Sequence, residues 1–113
     1  MKLYQKSGTH LLCGHWNGSP VEIGVTDLLR DVPPTEQMHY HDYHEYYVIL
    51  EGSGALEVDG TVVPLDAGRT IMVEPGEHHR VIEVGDAGIR WVIIKERSIP
   101  DSKHVVTSDD QAV

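Results

Sequence analysis

Turn-forming residues interrupt this sequence at short intervals: Gly14, Asn17-Gly18, Pro33-Pro34, Gly52-Ser53-Gly54, Asp59-Gly60, Asp66-Ala67-Gly68, Pro75-Gly76 and Gly85-Asp86-Ala87-Gly88. The stretches between them are apolar or β-branched, and none sustains a long 3.6-residue periodicity. Such spacing is that of a β-sandwich or small β-barrel with helices in a minor role. The apolar residues are weighted toward Val, Ile and Leu with no Phe, which favours pleated, half-buried surfaces. A chain of 113 residues has room for one core of ordinary size. A single all-β domain over residues 1–100 is therefore expected, followed by a polar tail, 101–113, that could add one short strand at Lys103 to Thr107.

The clearest local signal is Ala55 to Leu65. Asp59-Gly60 supplies the positive φ values of a type I′ turn between two alternating segments, so a hairpin is expected there. Pro64 then belongs at a sheet edge or strand end. Further strands are expected over Val21 to Arg30, Glu36 to His41, Glu45 to Glu51, Arg69 to Glu74, His79 to Val84 and Ile89 to Arg97.

Charge narrows the partners. With 18 acidic against 9 basic residues the formal net charge is −9, and no Lys/Arg cluster interrupts it, so nucleic acid would be repelled. The longest apolar runs, such as Trp91-Val92-Ile93-Ile94, are far too short to span a bilayer. The N-terminus lacks a secretory layout, and the lone Cys13 suits a reducing compartment. A cytoplasmic protein without a membrane partner is expected, with Cys13 read as a small core residue.

Eight histidines in so short a chain draw attention to their placement. In Met38-His39-Tyr40-His41-Asp42-Tyr43-His44-Glu45, residues two apart on a strand share a face, with Cα atoms about 6.6 Å apart, so His39 and His41 can converge on one ion. Glu45 has the same parity, but six residues of extended chain would carry it about 20 Å from His39. The chain has to turn between them, and Asp42-Tyr43-His44 provides turn chemistry. Pro75-Gly76 then turns the chain into Glu77-His78-His79, which can bring one of the two adjacent histidines against the first three groups. Three imidazoles and a carboxylate suit one divalent transition metal per chain, Fe, Mn, Ni, Cu or Zn, and are too rich in nitrogen for Mg or Ca. An octahedral ion so held keeps two positions open.

The segment His39-x-His41-x-x-x-Glu45, closed by Gly52, resembles the first cupin motif, and Gly68 through Glu74-x-Gly76-x-x-His79 resembles the second. The likeness covers Val21 to Arg97. It departs from the usual pattern at Pro33, where the first motif opens with Gly, at Glu74, which replaces a Pro, and at Glu83, which replaces a closing Asn. The resemblance is to small single-domain cupins of the conserved-barrel type. It implies a double-stranded β-helix, or jelly-roll barrel, with the metal held inside by His39, His41, Glu45 and His79. It thereby selects His79 over His78 and Glu45 over His44. His44 and His78 fall on the opposite parity, as surface or supporting groups, and His10, His15 and His104 read as ordinary surface histidines.

Parity also names candidates for the pocket wall. Tyr47 and Ile49 follow Glu45 inward, and Val81 and Glu83 follow His79. Tyr47 could donate a proton or hydrogen bond, and Glu83 could act as a base if desolvated. Two functions are open: a metal-dependent oxygenase, isomerase or lyase acting on a small organic molecule, or a non-catalytic binder of a sugar-like ligand. The latter has a parallel in the sugar-sensing domains of arabinose-type transcription regulators, which carry a helix-turn-helix domain not seen here. The segment Ile89 to Ile94 is apolar at both parities, so its outer face needs cover. A homodimer is expected.

Overall fold

The computed structural model describes residues 4–6, 9–28, 36–100 and 103–106, with side chains from residue 9 onward. The expected extension of a strand to Arg30, the departure at Pro33 and the tail beyond residue 106 lie outside the described residues. The strands are β1 (Tyr4–Lys6), β2 (Thr9–Cys13), β3 (Glu22–Leu28), β4 (His39–Tyr40), β5 (Glu45–Val58), β6 (Thr61–Asp66), β7 (Thr70–Val73), β8 (His79–Lys95) and β9 (His104–Val105), with one 3-10 turn at His15–Asn17. All pairings among the described residues are antiparallel, and the all-β expectation holds.

Two long strands organise the barrel. β5 and β8 pair along their whole length, from Glu45 opposite Lys95 to Val58 opposite His79. Their first partnership, Glu45–Gly52 with Ile89–Lys95, is flanked by β7 and β3. Their second, Gly54–Val58 with His79–Val84, is flanked by β6 and β4. One bent ribbon thus supplies the middle of both sheets. The core lies between the halves and comprises Tyr47, Ile49, Leu56, Leu65, Val73, Val81, Ile89, Trp91 and Ile93. Each such side chain contributes about 1.5–3 kcal/mol by leaving water.

The bend explains where sequence reading and structure part. Gly52-Ser53-Gly54 and Gly85-Asp86-Ala87-Gly88 read as chain reversals, yet both lie inside strands. Gly52 and Gly88 have φ of 79° and 77°, and a Cβ on Gly52 would stand 2.0 Å from the Gly88 carbonyl oxygen. Glycine here permits two backbones to bend together in contact, where any side chain would hold them apart. Register shifts between Ile49/Glu51, Gly52/Gly54 and Ala55/Leu56 complete the corner.

The last of those shifts overturns one inward assignment. Leu56 pairs with Val81, and the adjacent Ala55 pairs with Glu83, so β8 carries an extra residue and its alternation slips by one. Val81 is 4% exposed, whereas Glu83 is exposed to solvent and does not face the interior. The hairpin does form as expected, with Asp59 and Gly60 at φ 45° and 84°. Among the described residues β6 pairs with β5 alone, which places Pro64 on an edge. The short strand anticipated within Lys103 to Thr107 is β9, paired with β4.

Candidate metal centre

Three of the four expected ligands open a strand: His39 begins β4, Glu45 begins β5 and His79 begins β8. His41 sits in the connection that bends at Asp42 and Tyr43, where the chain had to turn. His39 and His79 are paired across β4 and β8. Glu45 arrives from the opposite end of the ribbon because the glycine corner folds β5 back toward itself.

These four residues offer one ligand atom each, all within 4.8 Å of one another, and all four are buried. Glu45 Oε1 lies 3.0 Å from His79 Nε2, and Glu45 Oε2 lies 3.3 Å from His41 Nε2. The His39 and His79 ring centroids are 4.2 Å apart.

Each ligand is held by a group two residues away along the chain. His39 Nδ1 meets the Gln37 carbonyl at 2.8 Å and His79 Nδ1 meets the Glu77 carbonyl at 2.9 Å. A carbonyl only accepts, so both Nδ1 atoms carry the proton, and Nε2 is the atom presented to the centre. His41 Nδ1 lies 3.2 Å from the Tyr43 hydroxyl, with the rings stacked at 4.9 Å. The Tyr47 hydroxyl donates to Glu45 Oε1 at 3.0 Å.

Electrostatics fit a cation. Burial opposes ionisation of Glu45, yet hydrogen bonds from His41 and His79 outweigh it and hold the carboxyl well below the usual range. Burial likewise opposes a charge on His79, but the bond to Glu45 prevails and raises its pKa. His39 is pushed down to about 3, first by burial and then by the His79 charge. With its Nδ1–H committed to Glu77, His79 Nε2 meets the carboxylate only by carrying a second proton. A divalent ion would replace that proton and take the three imidazoles as neutral ligands. The donor set therefore fits a transition metal.

The remaining candidates divide. Tyr47 is buried and points inward as expected, against Trp91 at a centroid distance of 5.5 Å. Glu83 stands apart on the surface. Arg90 is exposed and paired with Asp27 at 3.0 Å. His44 meets Glu96 at 2.9 Å. His78 and His104 both stack on the Tyr40 ring, at 5.1 and 4.7 Å, and His104 also meets Asp42 at 2.7 Å. Cys13 is half-buried.

Three neighbours of the centre escaped sequence reasoning. Tyr43 was legible by the same two-residue parity that picked Tyr47. Lys95 pairs with Glu22 at 2.9 Å, and despite burial its pKa is raised by Glu45, Tyr43 and Glu22. Glu36 accepts a hydrogen bond from the Val81 amide at 3.0 Å. No local motif announces Lys95 or Glu36.

Comparison with known proteins agrees with this geometry. The chain is 35% identical over 80 residues to the Streptomyces cyaneus protein named polyketide synthase CurC, a match covering 66% of this chain and 52% of that one. A second curated relative is covered to 39%, so the chain spans about half or less of the curated relatives it matches. Among solved structures, a cupin 2 conserved barrel domain protein from Rhodopseudomonas palustris superposes with a TM-score of 0.76 at 15% identity, covering 97% of this chain and 79% of that one. A variant of oxalate decarboxylase from Bacillus subtilis gives 0.75 at 11% identity, covering 99% of this chain and 32% of that one. The sequence pattern of the Cupin domain matches residues 28–95, a span that takes in His39, His41, Glu45 and His79 and both halves of the bent ribbon: the chain belongs to the cupin family.

Proposed function

We propose that this protein binds one divalent transition metal, Fe, Mn, Ni, Cu or Zn, through His39, His41, Glu45 and His79, and uses it in a reaction on a small organic substrate. The observation that carries this reading is the convergence of three imidazoles on a buried carboxylate, each group held by a partner of its own. A set so completely supported is more than packing requires.

A bound ion supplies polarisation of a substrate oxygen or an acidified water. The chain's own residues supply the rest. The Gln37 and Glu77 carbonyls fix the ring orientation of His39 and His79. Tyr47 steadies Glu45, and the apolar wall of Trp91, Ile49 and Val81 keeps water out of the interior. Oxygenase, isomerase and lyase chemistry all fit this frame. The likeness to a protein named polyketide synthase CurC supports a small organic substrate. A single cysteine fits a cytoplasmic setting.

A homodimer belongs to the same reading. The outer face of the sheet carries two apolar rows, Ile23, Ile94, Tyr46 and Met72, then Val25, Val92 and Val48. A second copy would cover them.

Elemental analysis of the purified protein tests the metal reading. About one transition-metal ion per chain is expected, lost on chelation, and Glu45→Gln or His41→Ala should bring it far below that. The loaded protein should turn over a member of a panel of sugars, sugar acids, thiols and diketones. Saturable binding without turnover would identify a binder, and a protein with no affinity for any of these ions would end the proposal.

A further inference from the structure

Glu36 is a carboxylate beside the centre that the ligand set does not use. The antiparallel register that pairs His39 with His79 would next bring Gln37 opposite Val81, but that pairing is absent. The Gln37 carbonyl is turned instead onto His39 Nδ1. The Val81 amide on the β8 edge is answered by Glu36 Oε1 at 3.0 Å. Val81 is buried and faces the interior on the same side as His79, with Cα atoms two strand residues, about 6.6 Å, apart.

The Glu36 carboxylate is thus fixed at the Val81 amide, two residues along β8 from His79. Glu45 and His79 both act on its charge, and its charge acts on Tyr47. One oxygen is pinned by Val81, and Oε2 has no hydrogen-bond partner among the described residues. Satisfying the Val81 amide needs only an acceptor, which a glutamine would supply without burying a charge. Burial raises the Glu36 pKa, against the pull of the Val81 hydrogen bond and of Lys103.

We propose that Glu36 is a catalytic residue of this site, the acid–base group that moves a proton to and from the carbon beside the carbonyl of a small oxygen-chelating substrate, a 2-oxo acid or a hydroxyketone. The inference rests on the metal-site reading above. An octahedral ion held by these four protein donors would have two positions left, the number that a substrate with two neighbouring oxygens would fill. In the step, the C–H bond breaks and its electron pair forms the carbon–carbon double bond of the enolate. The carbonyl π pair moves onto oxygen, and the proton passes to Glu36 Oε2, which returns it, or a solvent-exchanged proton, to the same carbon as the carbonyl re-forms. No oxidant or second substrate is consumed.

The test is deuterium wash-in followed by proton NMR, using zinc-loaded protein in D2O with pyruvate and dihydroxyacetone as probes. Wild-type protein should accelerate exchange at the carbon beside the carbonyl of at least one probe. Glu36→Gln keeps the acceptor for Val81, so it should bind zinc as wild type does while slowing exchange about 100-fold or more. The Glu36→Asp and Glu36→Asn pair supplies the same comparison if the Gln variant does not fold. Unchanged exchange in Glu36→Gln, or exchange and zinc affinity lost together, would overturn the assignment. Wild-type protein that holds zinc but exchanges neither probe would overturn it and leave the metal reading standing, whereas failure to hold any of Fe, Mn, Ni, Cu or Zn would remove both.

Discussion

The Tyr47 hydroxyl and the His79 imidazole meet the same oxygen: Glu45 Oε1 accepts from Tyr47 at 3.0 Å and lies 3.0 Å from His79 Nε2. Tyr47 therefore orients the carboxylate that the centre shares. Burial, and next the Glu45 charge, raise the Tyr47 phenol well above its ordinary value, so it stays a donor throughout the physiological range. Tyr47→Phe keeps the ring against Trp91 and removes only the hydroxyl. It is expected to weaken metal affinity about 10–100-fold while costing about 1 kcal/mol of stability. Competition with a chelator of known affinity measures the first, and urea unfolding the second. Unaltered affinity would show that Glu45 needs no such support.

Acid should destabilise the metal-free protein through His39. Its folded pKa is about 3 and its unfolded pKa about 6.5. Between those values the unfolded chain binds a proton that the folded chain refuses, so stability falls as pH falls through that window. Glu45, with a lowered pKa, works in the same direction below about 4.5. His79, with a raised pKa, works in reverse: its contribution is present below about 6.5 and lost as pH rises. His39→Gln removes the first effect alone. The gap between its stability and that of wild type should change by on the order of 1 kcal/mol between pH 7 and pH 5, read from urea midpoints of the apoproteins. Parallel pH profiles would exclude His39 as the source.

The apolar rows outside the sheet predict assembly. Val92 lies between Val25 and Val48 in one of them. Val92→Lys should halve the mass seen by light scattering at micromolar concentration, with the barrel's circular dichroism retained. A wild-type protein that is already monomeric there would leave these rows without a partner copy.

Much of this was legible in the residues, for a physical reason. The two-residue repeat of a strand fixes which side chains share a face, and His39, His41 and Tyr47 follow it. Where a reversal or a corner intervenes, the same turn-forming residues serve either purpose. Gly52-Ser53-Gly54 therefore gave no sign that β5 continues through it. Glu83 shows the cost of one hidden bulge: a single extra residue in β8 carried a presumed interior base to the surface. Glu36 was invisible because its importance depends on the Gln37 carbonyl having left the ladder, which is a consequence of tertiary structure.

The centre draws Glu45 from one end of the ribbon and His79 from the other, and the distance between them is set by curvature at Gly52, Gly54 and Gly88. The arrangement works as a buckle on a strap: the fastening lies far from the fold that brings its halves together. Substitutions at the corner would pull the clasp apart without touching it, and an ion fastened in the clasp would in turn brace the distant bend.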